Sequence, residues 1–324
     1  MTRSRLYRSG VLELQDFPAA EAAHHLGDPS VTLWLDLDAP APQDLAVLAA
    51  ALGLHPLAVA SVLDDDHQRP KLVHYDRHSF LAAYAVRVNA DDGVLTASEI
   101  DAFVTDRVLI TMHRNNTADI DALTARWDST PELAKSGAGF LLHGLLDHLV
   151  DGHLDAIQLL DERIEELEDL VFADHVDHTD LQRRSLRLRK SLSRLRHLAV
   201  PMREIVGSLM RREIRSVDDS LQPYFQDVYD HVLRVTEWTE SLRDLLATIR
   251  ETQLTIQGNR LNTIMKKVTS WAAIIAVPTA ITGFYGQNIP YPGFGQASGV
   301  WVSTLAILVI STTLYVLFKR RDWL

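Results

Sequence analysis

The sequence predicts an α+β cytoplasmic domain, long stalk helices and two C-terminal transmembrane helices. Three observations predict it. Charged residues make up 23% of the 324-residue chain, yet two runs after residue 267 carry none. Hydrophobic periodicity shifts to 3.6-residue spacing near Gly139. Apolar residues then recur every seven positions as Val228, Val235, Leu242, Ile249 and Ile256.

Residues 1–138 read as the cytoplasmic α/β part. The N-terminus has basic residues but no apolar stretch, so no signal peptide is expected. Residues 31–37, VTLWLDL, and 107–113, RVLITMH, read as strands rich in β-branched residues. Residues 42–52 read as a short helix ending near Gly53. Residues 139–221 read as a helical hairpin: a long amphipathic helix, then a second with a kink expected near Pro201. The second carries Arg183, Arg184, Arg187, Arg189, Lys190, Arg194 and Arg196; the first carries Asp161, Glu162, Glu165, Glu166, Glu168 and Asp169. A hairpin is expected to lay the acidic face beside the basic one. That is favoured over a nucleic-acid stripe, because the net charge of −11 argues for a surface that attracts cations.

Residues 222–285 read as one stalk helix continuing into the first membrane span. The seven-residue seam predicts helix–helix association along it. Gly258 and Asn259 weaken the helical pattern without clearly stopping it. At about 1.5 Å per residue the helix would be about 96 Å long, too long for one small domain. The first apolar run is 268–285 and the second is 300–318, each near the length that crosses a hydrocarbon core. Lys266 and Lys267 precede the first; Lys319, Arg320 and Arg321, in the tail 319–324, follow the second. The loop 286–299 has no Asp, Glu, Lys, Arg or His. The positive-inside rule therefore places the loop outside and both termini in the cytoplasm of a plasma or inner membrane protein.

Catalytic chemistry finds no foothold. There is no cysteine, so no disulfide or thiolate site, and there is no Walker loop, HExxH or GxSxG. Gly293 and Gly295 resemble a dinucleotide loop only superficially. His143, Asp147 and Asp151 at i, i+4 and i+8 could present metal ligands, as could His175 and His178. With 14 histidines in the chain, surface polar residues are the better reading of both sets. No enzyme and no organic cofactor is expected.

FYGQN closing the first span, a short loop, a second span and then FKRRDWL resemble the CorA family of divalent-cation channels. LWLDLDAP, GLHPLAV, HQRPKL, PMREIVGSL and PYFQDVYDH resemble further segments of that family, in order along nearly the whole chain. The resemblance implies a funnel-shaped homopentamer in the lipid bilayer, with stalk helices lining the pore, that takes up magnesium and accepts cobalt or nickel. It implies a selectivity filter at Gly286, Gln287 and Asn288. It places the pore lining at Asn262, Met265, Val268, Ala276, Thr279 and Gly283. Met265 and Val268 would form an apolar constriction, or equally pack neighbouring stalks. The family's usual filter methionine is Gln287 here, and members with isoleucine there are associated with zinc. A zinc transporter and a non-conducting membrane-anchored sensor are the alternatives. The resemblance also implies a regulatory divalent site at Asp227, with Asp147 at a second acidic position. The family's Glu-Asp pair after His-Pro-Leu is Ala60 and Ser61 here. Asp64, Asp65 and Asp66 lie near in sequence and could substitute, though an exposed acidic turn is the simpler reading. Inhibition by internal magnesium is expected to be weaker than the family norm.

Overall fold

Strand β3 (Val31–Asp38) is apolar almost without interruption because the computed structural model covers it with helices on both faces. The structure describes residues 2–18, 21–64, 69–114, 119–172, 178–211, 217–287, 290 and 293–324. Its elements run β1 (Thr2–Arg8), β2 (Val11–Gln15), α1 (Ala22–His25), β3, α2 (Pro42–Leu52), α3 (Pro56–Leu63), β4 (Lys71–His74), β5 (Ser79–Val88), β6 (Leu95–Val104) and β7 (Val108–His113). Helices α4 (Ile120–Ser129), α5 (Ala138–Val171), α6 (His178–Met210), α7 (Gln222–Tyr285) and α8 (Ala297–Arg320) follow. The chain divides into two compact units, residues 1–247 and 248–324, and α7 contributes residues to both.

In the first unit a seven-stranded sheet has the order β2-β1-β3-β7-β6-β5-β4. Only β3 and β7 pair in parallel; Leu33 lies opposite Val108 and Asp38 opposite His113. Alternation along the strands separates two cores. Leu33, Leu35, Phe80, Phe103 and Ile110 meet Leu45 and Leu48 of α2 and Ala58 and Val62 of α3. On the other face Trp34, Leu81, Ile100 and Leu109 meet α4, α5, the end of α6 and the start of α7. Pro at the first position starts both α2 and α3. Gly53, at φ 65°, closes α2 in the left-handed conformation that glycine adopts without penalty.

The seven-residue spacing on α7 is one half of a complete seam. Leu221, Phe225, Val228, Val232, Val235, Thr239, Leu242 and Leu246 alternate at four and three residues, and all are buried. The Thr239 hydroxyl donates to the Val235 carbonyl at 2.6 Å, which removes the cost of a polar group there. From Leu254 to Trp271 the large apolar residues of α7 are exposed, Ile256 among them.

The hairpin charges behave differently from expectation. Arg184 pairs with Asp180 of its own helix, Arg163 with Glu166 of its own, and Arg196 reaches Glu240 on α7. Among the described residues no ion pair joins α5 to α6. Aliphatic residues such as Leu160, Ile164 and Leu167 on α5 and Leu188, Leu192 and Leu195 on α6 are buried instead, and the charged faces turn outward. Long charged side chains lose little by staying in water.

Gly144 on α5 sits against Trp127, which stacks edge-on to Trp34 at 4.9 Å. A Cβ there would come within 2.6 Å of Trp127 Cδ1. Gly144→Ala gains about 1 kcal/mol of helix propensity and forces the indole out of its slot, which costs more. A net loss of about 1–3 kcal/mol is expected, read as a melting temperature lowered by several degrees in detergent.

His153 on α5 is fully buried and donates from Nε2 to the Tyr84 carbonyl at 3.0 Å. Burial pulls its pKa down to about 4. The unfolded chain takes up this proton more readily than the fold, so the contribution is intact above the ordinary histidine value and is lost as pH falls towards 4. Asp101 on β6 is pushed up to about 7 by burial and by the nearby Glu99, and its contribution has the opposite sign: it is lost as pH rises towards 7. The two nearly cancel in the parent. His153→Gln, which keeps a donor, is expected to gain about 2 kcal/mol relative to the parent between pH 7 and pH 5. Chemical unfolding midpoints of both proteins at the two pH values check it.

Candidate functional site: the end of helix α7 and an acidic cluster in the first unit

In the second unit, α7 runs unbroken past Gly258 to Tyr285 as part of a 64-residue helix. Its two faces differ along 270–285. Ser270, Ala273, Ile274, Val277, Pro278, Ile281 and Tyr285 are buried or half-buried and share one side. Ala276, Thr279 and Gly283 are exposed on the opposite side, and Asn262, Met265 and Val268 continue that face. At about 100° per residue these six positions span an arc of about 120°. Ala276, Thr279 and Gly283 therefore fall on the face that the chain leaves uncovered, and Asn262, Met265 and Val268 lie in line with it where α7 is exposed on all sides.

Local chemistry shapes the helix end. Pro278 has no N–H to give to the turn before it. The Thr282 hydroxyl donates to the Pro278 carbonyl at 2.8 Å and to that of Thr279 at 3.2 Å. Thr279 likewise donates to Ile275 at 3.1 Å. These threonines spend their hydroxyl protons on their own helix and turn their oxygen lone pairs and methyls outward. The Gly286 N–H closes the last turn on Thr282 at 2.9 Å, and that of Gln287 reaches Phe284 at 3.2 Å. A Cβ on Gly286 would meet the Thr282 carbonyl at 3.1 Å, so glycine lets this turn close tightly. Gln287 is exposed. Asn288 lies outside the described residues. The entry to α8 also depends on glycine: a Cβ on Gly299 would come within 2.6 Å of the Gly293 carbonyl oxygen.

In the first unit the structure brings Asp147 of α5 together with Asp227 and His231 of α7. One ligand atom from each lies within 4.8 Å of the others. His231 Nδ1 lies 3.7 Å from Asp151 and its Nε2 lies 4.0 Å from Asp227. The guanidinium of Arg126, from α4, bridges Asp147 and Asp151. Burial works against the Arg126 charge, but the bond to Asp151 and the field of Asp147 outweigh it and raise its pKa. Next to them, the His143 ring lies edge-on to Tyr224 and Phe225, and burial lowers its pKa. His143 is thus a packed core residue, whereas Asp147 and Asp151 are cluster members.

Sequence reasoning missed His231 and Arg126. The i, i+4 spacing of Asp227 and His231 was a usable signal; Arg126 comes from a separate element and left none. Ala60 and Ser61 sit on α3, exposed and half-buried. Asp64 caps α3, and its backbone carbonyl accepts from Arg114 at 3.2 Å. Asp66 and His175 lie outside the described residues. Two carboxylates and an imidazole suit a borderline ion such as zinc, cobalt or nickel better than magnesium, which prefers oxygen alone.

The profile of a family described as "CorA-like Mg2+ transporter protein" matches residues 30–320. The chain is 28% identical over 301 residues to the cobalt/magnesium transport protein CorA of Thermotoga maritima, covering 92% of this chain and 85% of that one. It is 24% identical over 301 residues to the zinc transport protein ZntB of Pectobacterium atrosepticum, covering 90% and 88%. The complete structure of the CorA magnesium transporter from Methanocaldococcus jannaschii superimposes with a TM-score of 0.83 at 22% identity, covering 100% of this chain and 99% of that one. The mixed α/β unit, the long helices, two helices apolar enough to span a bilayer and a match over nearly the full length agree with one another: this chain belongs to the CorA-like family of divalent-cation transporters of the membrane.

Proposed function

We propose that this family member takes up magnesium through a homopentameric channel, with both termini in the cytoplasm. The ion is selected while hydrated, at a ring built from Gly286, Gln287 and Asn288. The single observation that carries this is the uncovered face of α7. It aligns Asn262, Met265, Val268, Ala276, Thr279 and Gly283 and ends at the uncharged loop. Five copies of such a face would enclose a path lined by small, amide and hydroxyl groups, narrowed at Met265 and Val268.

Magnesium sheds its water reluctantly. A ring of carbonyl and amide oxygens can hydrogen-bond to the ion's water shell, so the ion is held without being stripped. The absence of charge in the loop keeps binding weak enough for release. An inward-negative membrane potential favours entry of two positive charges by about 4.6 kcal/mol per 100 mV.

A second reading, zinc transport, draws support from Gln287 in place of the usual methionine and from the similarity to zinc transport proteins. Uptake of magnesium and of zinc into liposomes holding the purified chain decides between them. A membrane-anchored sensor would conduct neither.

For regulation, Asp147, Asp227 and His231 are proposed to hold an internal divalent ion that shuts the pore, with Asp64 and Asp66 as a second wall across a protomer boundary. Arg126 already offsets one of the two charges of Asp147 and Asp151, and α3 offers Ala60 and Ser61 where acids are usual in the family. Weak inhibition follows, and Ser61→Asp is proposed to strengthen it.

A further inference from the structure

Helix α8 has two unlike faces. Ser303, Ile307, Ser311, Leu314 and Phe318 form a half-buried stripe. On the opposite face, Leu308, Val309, Thr312, Thr313, Val316 and Leu317 line a shallow groove of about 630 Å³ that ends at Arg320. Val309, Thr313, Val316 and Arg320 stand at i, i+4, i+7 and i+11, so they form one line along the helix. The Thr313 hydroxyl donates to the Val309 carbonyl at 2.7 Å. It therefore presents its methyl group outward, and the line is apolar until it reaches the guanidinium.

Aromatic and basic side chains gather at the end of the groove. The Trp323 N–H turns back to the Phe318 carbonyl at 3.0 Å. Its indole then stacks on Phe318, with centroids 5.7 Å apart and planes 4° apart. The Lys319 ammonium sits 5.8 Å over the Tyr315 ring. Aromatic rings of this kind settle at headgroup level. Among the described residues no ion pair engages Lys319, Arg320 or Arg321.

We infer that the Leu308–Arg320 face of α8 binds one anionic phospholipid, with an acyl chain along Val309, Thr313 and Val316 and the phosphate at Arg320. Two facts select lipid over a second copy of these helices. The face is apolar along its length and positive only at one end, which matches an anionic phospholipid in both parts. From residue 252 to residue 321 the chain contains no Asp or Glu, so the helical spans of a neighbouring copy offer Arg320 no carboxylate; the first is Asp322, past the end of α8. The inference needs only that α8 lies in a membrane and does not depend on which ion is carried.

The test is native mass spectrometry of the full chain in detergent, offered equal amounts of phosphatidylglycerol and phosphatidylcholine. The parent is expected to retain phosphatidylglycerol in about fivefold preference, the worth of one basic residue near an anionic surface. Arg320→Gln is expected to bring the ratio close to one, and Arg320→Lys to keep most of it. Thr313→Phe, which blocks the groove, is expected to lower total retained lipid with the same oligomeric mass. Soluble glycerol phosphate at equal concentration is expected to displace little, because it lacks the chain. The parent arm requires no variant and stands even if Arg320→Gln fails to fold. A parental ratio near one overturns the inference, as does a ratio that a folded Arg320→Gln leaves unchanged. Full displacement by glycerol phosphate would reduce the site to a surface charge. A change of oligomeric mass in Thr313→Phe without lipid loss would make the face a contact between copies.

Discussion

Asn288→Ala is expected to cut divalent-cation uptake about tenfold or more, the scale of one hydrogen bond to a charged partner, with assembly intact. Gly286 and Gln287 close the end of α7 on Thr282 and Phe284, so the helix spends its last N–H groups internally. Oxygens, not N–H groups, are then left for a cation's water shell at this end. The Asn288 amide oxygen is the first side-chain acceptor of the loop that does not belong to the middle position. Gln287→Met, made beside it, is expected to be tolerated, because the middle side chain tunes rather than creates the ring. Liposome uptake, paired with oligomer size by light scattering, checks both. Parental uptake in Asn288→Ala removes the filter assignment. A dead, assembled Gln287→Met would make the glutamine amide itself a direct contact to the hydrated ion.

The second large effect concerns the acidic cluster. Arg126→Gln is expected to lower the internal cobalt or magnesium concentration for half-inhibition about tenfold, and Asp227→Ala to raise it about tenfold. The reason is charge. The guanidinium bridges Asp147 and Asp151, within reach of any ion held by Asp147, Asp227 and His231. Even at an effective dielectric of about 20, a unit charge a few ångströms away is worth several kcal/mol, so tenfold is a conservative figure. Arg126→Gln keeps a planar donor, which limits the cost of leaving two half-buried carboxylates. Inhibition curves that neither change moves would contradict this account of regulation.

Much of this was legible in the sequence, and the physical reasons differ by element. The boundaries of α7 could be read from Gln222 to Tyr285 because the apolar seam and then the uncharged run leave no turn signal. Strand β3 announced itself through VTLWLDL, as a strand covered on both faces must. Strands β5 and β6 were not legible. SFLAAYAVRV is rich in alanine, which carries little strand signal, and LTASEIDAFV mixes Glu99 and Asp101 into a buried strand. The direction of the α5 and α6 charges was misread because like spacing on two helices says nothing of which faces meet; the buried aliphatic residues Leu160, Ile164, Leu188 and Leu192 decide it. Of the cluster, Asp147 and Asp227 came from the family resemblance. Their meeting with His231 and Arg126 within one chain is a property of how α4, α5 and α7 pack, which no local pattern encodes.

The most direct test of the central proposal is ion flux. Purified chain in liposomes, with an inward-negative potential, is given magnesium or zinc outside and a matching fluorescent reporter inside. The account predicts magnesium entry that increases with the potential and proceeds without a proton gradient. Zinc entry without magnesium entry, or entry that requires a proton gradient, would contradict it.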